Sequence, residues 1–315
     1  MWCPLLILSS VLSANCNSHF ESWEVYCGDE FRCKDINNTI CETQCNIDES
    51  CQNFEMLELK NEERQYMLDL HNYFRNRLAL GEETRGGNSE ASNMNVLNWH
   101  EELEYRAGCY VRWCALEETD RCTTLKAFKS AGQNVFVFKW KTEHVNYKAM
   151  RWLKQAVFSW YEEILYFKKS KIGSYTATGT KRQISRFVQL IWAATTHVGC
   201  SRSFSTENET DQMVSIKNVN IACYYGPRGN VELEKIYKVG DPASQCATNA
   251  NVGKLSEYPG LCGSPVRISK IRHPVSSTNR LSLKLCIFYC YMLLAARRQL
   301  DFLLHENVKF IIRFF

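Results

Sequence analysis

Sixteen cysteines and seven histidines are the residues of this 315-residue chain with the most chemistry in them. The histidines (His19, His71, His100, His144, His197, His273 and His305) show no pair four residues apart, and the chain holds neither Gly-x-Ser-x-Gly nor His-Glu-x-x-His. A hydrolytic nucleophile or a zinc-activated water therefore has no marker in the sequence. Sixteen cysteines exceed what a cytosolic enzyme carries and point to disulfides in an oxidising compartment. Met1 to Ala14 agrees: Leu5-Leu6-Ile7-Leu8 is a short apolar core followed by Ser9, Ser10, Ser13 and Ala14, the pattern of a secretory signal cleaved between Ala14 and Ser18.

The densest stretch runs from Ser185 to Asn230. Phe187, Leu190 and Ile191 follow a helical period, and Val214 to Tyr224 is β-branched and aromatic up to the stop at Gly226-Pro227. A short helix leading into a hairpin is expected. Cys200 and Cys223 fall in opposite arms, so a disulfide between neighbouring strands is the simple reading.

Several elements must position this stretch. Glu62 to Leu80 carries Met67, Leu70, Phe74 and Leu78 at spacings of three and four, with Gly81 as the stop. His100 to Cys114 aligns Leu103, Ala107, Val111 and Cys114 on one face, and Gln133 to Lys139 reads as a strand. Lys148 to Phe167 places Trp152, Ala156, Trp160, Ile164 and Phe167 at helical spacing, a wide apolar face for the core. From residue 19 to about Phe54 the chain holds five cysteines, Cys27, Cys33, Cys41, Cys45 and Cys51, with too few apolar residues for a core, and reads as a stapled arm.

With 45% hydrophobic residues the chain can bury a full core, as one large domain or two small ones. Residues 266–315 contain nine Lys/Arg against Asp301 and Glu306, a net +7, so residues 1–265 carry −3 of the chain's +4. That body lacks the clustered cations of a nucleic-acid-tracking surface. Leu281 to Ala296 is apolar but about sixteen residues long and interrupted by Lys284, short of a bilayer span. Residues 266–315 are expected to be an appendage outside the fold, with a tail anchor as the alternative.

The central stretch resembles the signature of the CAP superfamily (cysteine-rich secretory proteins, antigen 5, pathogenesis-related 1). Gln189, Trp192, Gly199, Cys200, Cys223, Tyr225, Gly226 and Pro227 match its Gln-Met-Val-Trp, Val-Gly-Cys and Cys-Asn-Tyr-Gly-Pro segments. His71-Asn72 and Arg75 resemble its first helix, where hydrogen bonds to the core are expected. Tyr237 to Cys246 and Tyr258 to Cys262 resemble the C-terminal extension of fly and mosquito antigen 5 relatives. The resemblance implies an α+β fold, a three-layer α/β/α sandwich around an antiparallel sheet. It also implies an order of parts: signal peptide 1–18, disulfide-rich arm 19–54, CAP domain 55–230, cysteine-containing extension 231–265 and the tail 266–315.

The same resemblance implies the pairs Cys27–Cys41, Cys33–Cys122 and Cys51–Cys114. Cys45 and Cys109 have no counterpart and lie in parts those bridges bring together, so they are expected to pair with each other. Cys246 and Cys262 close a sixteen-residue step and are expected to pair as well. Asn37 and Asn208 head glycosylation sequons.

The family's cleft is usually lined by two His and two acidic residues able to hold a divalent metal. Here the first His position, three residues before a cysteine, is Thr119, and the first Glu position, in Gly132-Gln133-Asn134, is Gln133. The second acid survives as Glu163 after Trp160, and the second His is Arg186. Thr, Gln and a permanently charged guanidinium are not donors for zinc or copper, so no metal and no cofactor are expected. Arg186 instead is expected to pair with Glu163, in an arrangement where losing one member costs more than losing both. The other arrangement has Arg186 in solvent and Glu163 bonded to backbone.

With one cleft carboxylate and no nucleophile, an enzyme is not expected, a hydrolase using Glu163 being the weakest alternative. The expected function is a secreted, monomeric antigen 5-like protein of venom or saliva type that binds an extracellular protein or small ligand. A carrier of sterols, fatty acids or biogenic amines is the alternative. No nucleic acid and no stable membrane insertion are expected.

Overall fold

The computed structural model describes residues 22–49, 51–114, 116, 120–141, 145–177, 183–208, 215–247 and 257–268. The expected signal peptide, Thr119, the side chain of Asn208 and residues 269–315 lie outside them.

The described chain is α+β. After an arm containing helix α1 (Thr39–Thr43) and strand β1 (Gln52–Met56) comes the long helix α2 (Asn61–Ala79). Its first turn is tied by the Lys60 backbone N–H donating to Glu63 Oε2 at 3.0 Å. It ends at Gly81, whose φ of 73° is the left-handed conformation that stops helices. Met67, Phe74 and Leu78 are buried as their spacing requires, but Leu68 rather than Leu70 supplies the remaining fully buried leucine.

Strand β2 (Asn98–Trp99) leads into α3 (Glu101–Tyr110), then a 3-10 turn (Val111–Trp113), β3 (Gly132–Trp140) and α4 (Arg151–Tyr161), which tightens into the 3-10 turn Glu162–Tyr166. Helix α5 (Ser185–Leu190) precedes the hairpin β4 (His197–Asn208) and β5 (Ser215–Gly226).

The sheet order is β1-β4-β5-β3, antiparallel throughout, with the two-residue β2 added parallel to β4. β1 carries almost no β-branched character; pairing with β4, Gln52 against Thr206 and Glu55 against Phe204, is what extends it. Side chains alternate across a strand, so successive residues serve different layers. Tyr224 points toward α3, its ring 6.0 Å from Tyr110, and Tyr225 meets His71 of α2. One layer is thus α3 under β4 and β5; the other holds α2, α4 and α5. α3 lies directly on β4, because a Cβ at Gly199 would come within 2.2 Å of the Glu104 backbone nitrogen.

Among the described residues there are six disulfides: Cys27–Cys41, Cys33–Cys122, Cys45–Cys109, Cys51–Cys114, Cys200–Cys223 and Cys246–Cys262. Cys200 and Cys223 face each other in register across the hairpin. Three of the others fasten the arm to α3 and the loop after it, where Tyr26, Phe31 and Ile40 join the core of Leu103, Ala107 and Tyr224.

The C-terminal extension packs as tightly. Ser92 N–H donates to Lys238 O at 2.8 Å and Cys262 N–H to Met94 O at 2.7 Å. Ile268 is 1% exposed, and its N–H donates to Gln65 Oε1. The packed body therefore runs three residues past position 265.

Candidate functional site

Glu163 stands in the 3-10 turn after α4, and the turn decides its direction. Glu162 points outward to Arg85 (2.8 Å), whereas Glu163 is buried. It meets the start of α5, whose N-cap, Ile184, has no side chain able to accept from the first helical N–H groups. Glu163 Oε2 fills that role from another element, accepting from Arg186 N–H at 2.9 Å and Phe187 N–H at 3.1 Å. Its other oxygen, Oε1, accepts from Arg186 Nε at 2.6 Å. Arg186 Nη2 donates to Gln183 Oε1 at 3.0 Å. Ion pair and backbone bonds coexist, so the two arrangements weighed from sequence are not exclusive.

Gln133 is not part of this group. Its Oε1 accepts from Asp120 N–H at 3.2 Å and its Nε2 donates to Tyr224 OH at 2.8 Å, both on the α3 side of the sheet. The neighbour one step along β3, Asn134, faces the other layer and donates to Arg186 O and Tyr225 OH. Strand alternation thus separates Gln133 from the Glu163–Arg186 pair, and Thr119 lies outside the described residues.

Around Gln133 is a buried charged cluster that the sequence reading did not include. Arg106 Nη2 donates to Asp120 Oδ2 at 2.5 Å and to Cys122 O at 2.7 Å, with both side chains of the pair 1% exposed. Tyr224 OH and Thr39 Oγ1 donate to the two oxygens of Asp120, each at 2.6 Å. Burial, then the charge on Asp120, pushes the Tyr224 hydroxyl well above the usual tyrosine range. A signal existed: Arg106 sits three residues after Leu103 and four before Tyr110, on the apolar side of α3. The cluster borders a void of ≈ 10 Å³, about the room one water needs.

The helix α2 motif is structural. His71 donates Nδ1–H to Met67 O (2.7 Å) and its Nε2 accepts from Tyr225 OH (2.9 Å); burial lowers its pKa to about 4. Asn72 exchanges hydrogen bonds with Leu97 in both directions. Arg75, fully buried, donates to the carbonyls of Asn95, Leu190, Trp192, Ala193 and Thr195.

These residues do not fit a metal. Glu163 has both oxygens engaged, Arg186 brings a positive charge to the spot, and Gln133 is bound elsewhere. Among the described residues no group of three or more His, Cys, Asp or Glu is placed to hold one. Glu163 already accepts three N–H donors, two at Oε2 and one at Oε1, which lowers its capacity to take up a proton.

The family model "Cysteine-rich secretory protein family" (CAP) matches residues 68–225. The chain is 32% identical over 204 residues to "CRISP/Allergen/PR-1" of Trittame loki, covering 64% of this chain and 48% of that protein. It is 30% identical over 202 residues to "Scoloptoxin SSD976" of Scolopendra dehaani, covering 63% and 83%, and 30% identical over 235 residues to "Venom allergen 5" of Tityus serrulatus, covering 71% and 52%. The chain thus spans about half the length of the first and third of these relatives. Among solved structures, BmVAL-1 superposes with a TM-score of 0.50 at 23% identity, over 66% of this chain and 97% of that one. Na-ASP-1 gives 0.50 at 24% identity, over 69% and 50%. Helices on either side of an antiparallel sheet, the hairpin disulfide and the matched stretch agree: the chain belongs to the CAP family and is of its venom allergen-like type.

Proposed function

We propose that this CAP protein is secreted and acts outside the cell as a non-catalytic binding scaffold, recognising an extracellular protein or small ligand through its surface. The carrying observation is that both oxygens of Glu163, the acid that survives from the family's cleft, are engaged by Arg186 Nε and two backbone N–H groups. A carboxylate so occupied is a poor general base, and the cation beside it opposes a metal. Six disulfides fit an oxidising destination and a scaffold held rigid before it meets a partner.

The test pairs mass spectrometry of the native secreted protein with an esterase and peptidase panel. The reading expects intact export, turnover at the level of a Glu163→Gln control, and a specific partner retained by both proteins. Turnover that disappears in Glu163→Gln would overturn it.

A further inference from the structure

The outer side of α4 and the turn after it is a surface unrelated to the cleft. Trp152, Leu153, Ala156, Val157, Trp160, Tyr161 and Ile164 face the core, which leaves Arg151, Lys154, Phe158, Glu162 and Leu165 outward at spacings of three and four. Leu165 is 59% exposed, Tyr166 42%, Met150 41% and Phe158 38%. The patch continues onto α2, because Phe74 lies 5.1 Å from the Phe158 ring and 5.3 Å from that of Tyr73, itself half exposed.

The charge on this stripe is mainly cationic. Lys154 Nζ stands 5.2 Å over the Phe158 ring and Arg151 4.7 Å over that of Trp152. Lys168 and Lys169 follow the turn; Lys169 abuts it through Gly87, and Gly86 rests against Ile164. The outward acid, Glu162, is neutralised by Arg85 at 2.8 Å. A body of net charge −3 over residues 1–265 thus turns cations and large apolar side chains outward together.

We propose that this stripe is a peripheral docking surface for an anionic lipid bilayer. Lysines flanking exposed aliphatic and aromatic side chains are the pattern of interfacial helices, in which apolar tips enter the headgroup region and cations meet lipid phosphates and carboxylates. The interior of a protein–protein interface is depleted in lysine, and a soluble polyanion would give Leu165 and Met150 nothing to bury against. Among the described residues no helix is long and apolar enough to cross a membrane, so the contact is adsorption on one leaflet. The inference does not rest on the reading of the cleft.

The test is co-sedimentation of full-length protein with vesicles of phosphatidylcholine alone or with about 30% phosphatidylserine. Because residues 266–315 carry +7 in every variant, the stripe is read from differences between variants. Lys154→Glu with Lys169→Glu is expected to lower partitioning onto the anionic vesicles by about tenfold or more, and Phe158→Ser with Leu165→Ser severalfold. A second measurement needs no variant: anionic vesicles should protect Lys154 and Lys169 of the unaltered protein from acetylation while leaving Lys60, elsewhere on the surface, reactive. Unchanged partitioning of the charge-reversed protein overturns the proposal. So does equal binding to neutral vesicles, unchanged reactivity of Lys154 and Lys169, or retention by a sulfated polysaccharide but not by vesicles.

Discussion

Arg186 Nε stands 2.6 Å from Glu163 Oε1, and the backbone of the same arginine donates to the carboxylate's other oxygen. One residue therefore binds Glu163 twice, once through charge and once as the start of α5. This changes the stability order that charge pairing alone implies. After Arg186→Ala the carboxylate keeps two N–H donors, and Arg186 is already 29% exposed, so the loss is expected to be about 1–2 kcal/mol. Glu163→Ala strands two helix N–H groups, for about 2–4 kcal/mol, while the part-exposed guanidinium keeps Gln183 and solvent. The double variant should be no more stable than Glu163→Ala. Denaturant midpoints decide it; an Arg186→Ala protein less stable than the double variant would mean that the charge outweighs the cap.

A second prediction concerns acid. Burial holds His71 neutral with its pKa lowered to about 4, below that of an unfolded histidine. The unfolded chain therefore takes up a proton first as pH falls below about 6.5. Stability is fully present above that value and declines down to about pH 4, by about 3 kcal/mol for this group. Burial also lowers the pKa of His100 and His197, which steepens the same decline. The Arg85 guanidinium outweighs burial at Glu83 and holds it at about 2, adding a second loss below the ordinary glutamate range. Thermal midpoints of the parent should fall between pH 6.5 and 4.5, and His71→Gln should flatten that dependence even if it lowers every midpoint. A His71→Gln profile parallel to the parent's would assign the loss elsewhere.

The Cys45–Cys109 bridge closes a step of 64 residues between the arm and α3. Chain-entropy arguments give such a crosslink up to about 4 kcal/mol. Replacing both cysteines by alanine should lower stability by about 2–4 kcal/mol while leaving the other bridges formed. Peptide mapping of the parent without reduction should yield the crosslinked peptide; alkylated Cys45 or Cys109 would contradict it.

How far the sequence reaches depends on whether a residue's reason is local. α2 was legible because Met67, Phe74 and Leu78 recur on one face and Gly81 ends the run. Trp152, Ala156 and Trp160 marked α4 in the same way. β1 was not legible, since Gln52-Asn53-Phe54-Glu55-Met56 lacks strand character and forms by pairing with residues some 150 positions later. The meeting of Glu163 with Arg186 could be stated through family resemblance. That Glu163 also caps α5 could not, because the missing cap at Ile184 shows only once the helix start is located. Family resemblance places Gln133 with the pair, whereas in the structure its side chain bonds Tyr224 and that of Asn134, one position along β3, bonds the Arg186 carbonyl.

Arg186 and Glu163 occupy each other where a metal would need the carboxylate, and zinc calorimetry on the unmodified full-length protein beside Glu163→Gln reads this out. The account predicts the same heat from both proteins, with no stoichiometric zinc site that depends on Glu163. Stoichiometric binding by the parent that vanishes in Glu163→Gln would contradict it.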